Sequence, residues 1–425
     1  MKRFALAGMA LVVAVAGALA QIAAGSTRGD PWLQPEKPIF AGLTIDEKLF
    51  AEVSKPASTV VNIVDLEAED PTVSDLLYPV WIGKSFMFFS LDQKGGYRFL
   101  ELAMGQSGTK LKEVKLSGSG GAAGGLLDES LLSSRKENDP PIKNPVANPQ
   151  TGELAFLLAE SSSQGDKMTI CLLSRGSTVE VKRLYQAASK VVLRSLSWKD
   201  KDSLVYTENL SGKEPLMFEV SARQSGSPPK QIGQGYSGPA AAFVAPRIAA
   251  LQEAKGAGQK LVIIENGVPK DTDISGRLSK LAWDAKGQFV AVIIANGMTK
   301  TLGIWDATKG AQVKFTGSSN VYFEEVGAIY SDYAPLWDST GKVYYTQKTN
   351  DFVTQLYRFD PLTGKNTLVH DFAENKYTTI SAIGVSENGG GSTSSQVVIC
   401  GLKDLSSRNR SATLFFFTGP AGDAK

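Results

Sequence analysis

The sequence holds one histidine, His370, and two cysteines, Cys171 and Cys400, in 425 residues. A Ser-His-Asp system needs a histidine beside its nucleophile. His370 stands in LVHDF at the end of a strand-like run and reads as an exposed strand-end residue. Gly235 begins GYSGP, which misses the G-x-S-x-G turn of α/β-hydrolases, and no residues remain to build such a domain. A peptidase reading therefore fails. Structural zinc takes four Cys or His ligands at short spacing, and two distant cysteines with one histidine cannot supply them. They are also too few for a disulfide-stapled scaffold. Both sit in apolar runs, where free cysteine behaves as a small buried hydrophobe, so two unpaired thiols are expected.

Charge of one sign is also lacking. The 45 Lys plus Arg against 43 Asp plus Glu leave a formal charge of +2, without the basic excess that neutralising many phosphates requires. Nucleic acid is excluded as a partner on that ground. Long apolar runs are missing except at the start, where Lys2 and Arg3 precede Phe4 to Ala20 and Ala18-Leu19-Ala20 offers a small-x-small cleavage site. Residues 1–20 are expected to be an export signal. The alternative is an uncleaved anchor, the one route to a membrane. No cysteine lies near Ala20, so a lipidated anchor is excluded. The mature protein is expected in the periplasm, at the cell surface or outside the cell.

Helical periodicity is nearly absent. Residues 21–56 form a proline-rich and charged linker whose one helix, Ile45 to Val53, is announced by the Thr44 to Glu47 capping box. From residue 57 to 418 short runs rich in Val, Ile, Phe and Tyr recur between turns, many of them closed by some of the 42 glycines. Residues 419–425 are a tail. A chain this long exceeds one ordinary core and calls for repeats or several domains.

A repeat is present. Trp283 begins WDAKGQFVAVII, Trp337 begins WDSTGKVYYTQ, and looser copies start at Trp198 and Asn148. Asp284 with Gly287, and Asp338 with Gly341, supply the side-chain acceptor and the positive φ that close a hairpin. A second turn follows two strands later, with Asp306 and Gly310 in one copy and Asp360 and Gly364 in another. Starts at Trp81, Asn148, Trp198, Ala245, Trp283, Trp337 and Val385 have spacings that suit propeller blades, whose periods are roughly 40–50 residues. The expected fold is all-β, a β-propeller of about seven four-stranded antiparallel blades, with six or eight also compatible. The run Thr59 to Asp65 is placed to supply an outer strand that closes the ring on the last blade. With Trp81 opening the first blade, Cys171 and Cys400 fall in non-adjacent blades, so a bridge between them would lower the count to six.

These residues resemble the WD40-like repeats of exported bacterial propellers of the TolB type, from roughly Tyr78 to Thr418. The turns read D-A-K-G, D-S-T-G and P-Q-T-G in place of P-D-G. The resemblance implies the architecture and leaves the chemistry open.

The Asp-rich turns lack the dense acidic spacing of a calcium loop, so Asp284, Asp306, Asp338 and Asp360 are read as turn caps; no metal and no cofactor are expected. The glycine run Gly118 to Gly125 lacks G-x-G-x-x-G spacing and a Walker lysine, and reads as an insertion between blades. In a four-stranded meander successive turns alternate between ends, so D-x-x-G hairpins share one face. Blade crossings and second-to-third-strand loops share the other, and the irregular loops fall there. Among them Asn320 to Tyr333 sets Tyr322, Phe323, Tyr330 and Tyr333 beside Glu324, Glu325 and Asp332. Aromatic anchors with acidic neighbours form a candidate docking patch for a protein or glycan; the competing reading is an extra strand with its aromatics buried. The function expected is a noncatalytic binding or scaffold propeller, the alternatives being a propeller lyase, lactonase or glycan-active enzyme using carboxylates, and a surface-layer component.

Overall fold

A computed structural model describes residues 60–65, 77–82, 85–91, 97–105, 108–114, 117–118, 142–160, 167–175, 179–254, 258–297, 299–317, 321–322, 334–349, 352–371, 379–386, 396–402 and 412–418. All belong to one compact unit, Lys55–Lys425. The export signal, the linker with its helix and the tail lie outside the described residues. Among the described residues there is no helix, and so none long and apolar enough to cross a membrane.

The chain is a β-propeller of antiparallel meanders. Strand β1 (Val60–Asp65) stands apart from the strands that follow it. The next meander is β2 (Leu77–Ile82), β3 (Ser85–Leu91), β4 (Tyr97–Gly105) and β5 (Gly108–Glu113). A short strand, β6 (Ser117–Gly118), then lies parallel to the outer edge of the meander β7 (Ile142–Ala147), β8 (Leu154–Glu160), β9 (Lys167–Arg175) and β10 (Val179–Gln186). Gly118 of the glycine run thus belongs to an edge strand. After it come β11 (Val192–Trp198), β12 (Ser203–Asn209), β13 (Leu216–Ser221) and β14 (Lys230–Gln234).

A seven-stranded sheet follows: β15 (Tyr236–Ala242), β16 (Arg247–Ala254), β17 (Gly258–Glu265), β18 (Val268–Trp283), β19 (Phe289–Asn296), β20 (Thr299–Asp306) and β21 (Ala311–Val313). It is two meanders on one strand. Residues Val268–Gly276 of β18 pair with β17, and Arg277–Trp283 pair with β19. The next sheet has a divided first strand, β22 (Val321–Tyr322) and β23 (Leu336–Trp337), both paired with β24 (Val343–Thr349), then β25 (Phe352–Asp360) and β26 (Lys365–Asp371). The last is β27 (Thr379–Ser386), β28 (Gln396–Leu402) and β29 (Ala412–Thr418), with β1 paired to β29 from Val60↔Phe417 to Asp65↔Thr413.

The repeat starts fall at the turn ends of first strands: Trp198 and Trp283 close β11 and β18, and Trp337 closes β23. First strands touch in chain order, β2 to β7, β7 to β11, β11 to β15, β15 to β18, β18 to β23 and β23 to β27, and β27 also touches β2. They form the inner wall. Second strands lie between neighbours on both faces, so they are continuous apolar runs: LAFLLA in β8 and FVAVI in β19 are buried throughout. The cores are the layers between sheets. One joins Leu157 and Ile170 to Tyr206 and Trp198; another joins Phe289 and Ile293 to Trp337 and Tyr345. Each such side chain contributes about 1.5–3 kcal/mol.

Candidate functional site

The two ends of the propeller differ in how they are held. On the hairpin end, Asp284 Oδ1 accepts from the amides of Gln288 and Phe289, both at 2.7 Å. Asp338 Oδ1 accepts from the Thr340 amide (2.9 Å), its hydroxyl (2.6 Å) and the Lys342 amide (3.1 Å). Asp306 does the same for Thr308 and Lys309, and Asp360 for Leu362. Gly287, Gly310, Gly341 and Gly364 complete these turns at φ of 65°, 64°, 83° and 70°. A carboxylate at each turn is thus spent on backbone amides. Burial pushes the Asp306 carboxyl up, yet its Thr308 and Lys309 donors hold it below the ordinary value overall.

Neighbouring units are tied at this end. Trp198 Nε1 donates to the Val146 carbonyl (3.0 Å), Trp283 Nε1 to Ala240 (2.8 Å) and Trp337 Nε1 to Ala282 (3.0 Å). Each tie runs from one first strand to the one before it. The β15 strand has no tryptophan, and there the Ala241 amide donates to Ser197 Oγ instead (3.1 Å). Arg223 adds a clamp, donating to Glu153 (2.8 Å), Asp202 (2.9 Å) and the Lys201 carbonyl (2.8 Å). Arg247 likewise reaches Glu265 (2.9 Å) and the Gly287 carbonyl (3.1 Å).

Among the described residues at this end, one buried atom has no partner. Asp284 is 4% exposed, and its Oδ2 is buried without a hydrogen bond, near Gly341 of the following turn. The reason lies in the repeat. Tyr344 hydrogen-bonds to Asp338, whereas strand register puts Ala291 at the place of Tyr344 beside Asp284. Elsewhere Asn148 fills the role by donating through Nδ2 to the Lys201 carbonyl of the next turn (3.2 Å). Burial pushes the Asp284 carboxyl above its ordinary value, against the pull of the Phe289 and Gln288 amides. A raised folded-state pKa means that ionised Asp284 opposes folding above that pKa and that the penalty disappears as pH falls below the unfolded value, about 3.9. Asp284→Asn is therefore expected to raise stability by about 1 kcal/mol at pH 7 and to make no difference near pH 3. Urea unfolding at both pH values measures this; an equal gain at both would remove the carboxylate as its cause.

The inner wall carries a repeated irregularity. Register shifts fall within first strands between Lys143 and Val146, Arg194 and Ser197, Ser237 and Ala240, and Ser279 and Leu281. The residues inside these bulges have positive φ: Asn144 at 49°, Ser195 at 57°, Gly238 at 59° and Lys280 at 49°. A left-handed non-glycine residue costs roughly 1–2 kcal/mol. Bulges of this kind re-aim side chains and gather near functional sites. Asparagine tolerates positive φ, so Asn144 is marked, but nothing in the sequence marks the bulges at Ser195 and Lys280.

In the β22–β26 sheet the first strand is interrupted altogether. Tyr322 pairs with Thr346 and Leu336 with Tyr344, so the two parts of the first strand meet β24 two rungs apart although they stand fourteen positions apart in the sequence. Val321 is buried. Of the candidate patch, Tyr322 lies in β22, whereas Phe323, Glu324, Glu325, Tyr330, Asp332 and Tyr333 lie outside the described residues.

A further cluster joins β10 to β12, where Tyr185 Oη (2.7 Å) and Tyr206 Oη (3.4 Å) both donate to Glu208 Oε1. Burial, followed for Tyr185 by the hydrogen bond and for Tyr206 by the charge of Glu208, pushes both phenols up, which keeps them protonated donors. Cys171 is a free buried thiol whose pKa burial raises to about 12, so it is inert. His370 stands at the end of the outer strand β26, as expected, paired with Leu356, but is half-buried and not exposed. Among the described residues no three His, Cys, Asp or Glu side chains group as a metal site.

No protein-family model matches the chain, and no curated protein matches it. Solved structures do. The β-propeller domain of the Trilobed protease from Pyrococcus furiosus aligns over 81% of this chain and 95% of that one, at 13% identity and a TM-score of 0.52. This chain has the β-propeller fold. Acylaminoacyl peptidase from Pyrococcus horikoshii aligns over 82% of this chain at 11% identity and a TM-score of 0.51. The propeller spans about half of that peptidase, 52% of its chain. An oligogalacturonate lyase solved with manganese aligns over 82% of this chain and 90% of its own, at 12% identity and a TM-score of 0.50. At such identities the likeness is one of fold.

Proposed function

We propose that this chain is an exported binding propeller, akin in its repeats to the TolB type, that docks a protein or glycan partner on the crossing-loop end. The observation that carries the reading is the interruption of the inner wall between Tyr322 and Leu336, rungs that pair with Thr346 and Tyr344. The sequence between these rungs carries Phe323, Glu324, Glu325, Tyr330, Asp332 and Tyr333. The hairpin end is the complement: its Asp carboxylates, Trp indoles and Arg223 are committed to holding the units together. Rigid support at one end and variable loops at the other is the usual division between scaffold and binding surface.

The test compares the chain without residues 1–20 with a Tyr322→Ser, Tyr330→Ser variant. Both are immobilised against envelope extract and a glycan array, and their unfolding midpoints are measured in parallel. Loss of a specifically retained partner by tenfold or more, with the midpoint unchanged, is the expected result. A lowered midpoint with retention intact would identify these tyrosines as packing residues and sink the docking reading.

A further inference from the structure

We propose that the inner wall, along the arc from β7 to β18, binds an oxyanion of the carboxylate or phosphate kind near the crossing-loop end. The inference rests on the binding role assigned to that end and adds the charge of what enters it. Strands β2, β7, β11, β15, β22, β23 and β27, with the Arg277–Trp283 part of β18, contain no Asp or Glu. They do contain Lys143, Arg194, Arg277 and Lys280. In a chain whose overall charge is only +2, that separation leaves the wall basic.

Position strengthens the point. Arg194 precedes Trp198, and Arg277 and Lys280 precede Trp283, so all three lie on the crossing-loop side of the tryptophan ties. Asn144, Ser195 and Lys280 occupy the bulges at positive φ, beside Lys143 and Arg194. The intervening strand, β15, contributes Ser237 and Gly238 at its own bulge, small residues between the flanking basic ones. Arg194 and Arg277 are exposed and Lys280 is half-buried, and among the described residues none of the three forms an ion pair. Of the acids on the second strands of this arc, Glu160 is paired with Arg183 (2.6 Å), Glu208 accepts from Tyr185 (2.7 Å) and Glu253, exposed at the end of β16, accepts from Gln259 (3.3 Å). Guanidinium forks match planar oxyanions, and hydroxyl and amide groups beside them supply neutral donors. First strands also have one edge without a strand partner, whose amides add to an anion's surroundings.

The experiment is calorimetric titration of the full chain with citrate and, separately, with pyrophosphate at low ionic strength. Binding of either is expected, weakening as salt is raised. Preference for citrate assigns a carboxylate ligand, preference for pyrophosphate a phosphate ligand, and equal binding a site that reads charge; each supports the inference. Arg194→Ser, Arg277→Ser and Lys280→Ser are each expected to weaken binding by about tenfold. The exposed Arg277→Ser carries the test if the bulge variants fail to fold. Absence of binding to both anions, or affinity unchanged in variants with the wild-type unfolding midpoint, overturns it. A chain that keeps its partner but binds neither anion fails this inference alone, since docking is read separately through Tyr322 and Tyr330.

Discussion

Trp337→Ala is expected to lower the stability of the propeller by about 3–5 kcal/mol, the usual loss when a buried tryptophan is truncated. Trp337 is 6% exposed and stacks on Phe289 with ring centroids 6.3 Å apart, in the layer that also holds Ile293, Ile304 and Phe359. Truncation opens a cavity between two sheets whose second strands are already fully packed. It also leaves the Ala282 carbonyl without the indole that meets it at 3.0 Å. Trp337→Phe separates the two contributions: it refills much of the volume and loses the hydrogen bond, so about 1 kcal/mol of extra loss beyond packing is expected. Urea midpoints for both variants provide the measurement. A Trp337→Ala loss below that of Trp337→Phe would mean that the sheets are not joined through this side chain.

The second large effect concerns β1. Removing residues through Asp65 takes away the partner of β29 along Thr413 to Phe417, leaving Phe415, Phe416 and Phe417 on an unpaired edge. The lost ladder and cross-strand pairs cost on the order of 3 kcal/mol. The new edge is long and apolar, the kind that templates strand pairing between chains. The truncated protein is expected to elute mostly as oligomer or aggregate in size-exclusion chromatography, while the chain beginning at residue 57 stays monodisperse. A monomeric truncation product with an unchanged midpoint would show that β1 contributes nothing to the last sheet.

Much of the fold was written in the turns. Asp284 with Gly287 and Asp338 with Gly341 are legible because a hairpin needs an acceptor near its amides and a residue tolerant of positive φ, and few residues meet either need. The start at Ala245 lacks a D-x-x-G turn, its hairpin reading Phe243-Val244-Ala245-Pro246. Strand β18 passes from one sheet to the next without a loop even though Asp271, Asp273, Ser275 and Gly276 are turn-type residues; register shifts fall on either side of Gly276 (φ 135°), and Lys280 has φ 49°. The bulges were legible only at Gly238 and Asn144, residue types that tolerate positive φ. Ser195 and Lys280 take left-handed conformations because tertiary packing holds them, and their side chains give no sign of it. For the same reason Trp198, Trp283 and Trp337 were visible as repeat markers, while the carbonyls their indoles reach, in the preceding unit, were not. Of the proposed docking patch only Tyr322 can be placed, at the point where the wall breaks.

The shared strand bears on how the molecule comes apart. Most neighbouring sheets meet through side chains, so one can loosen while the other keeps its backbone hydrogen bonds. The sheets on either side of Gly276 cannot, because Val268–Trp283 is the outer strand of one and the inner strand of the other. Fraying at β17 reaches β19 along a single covalent ribbon. This stretch is thus the cooperative hub of the propeller, and partial opening is confined to the seams where units merely touch.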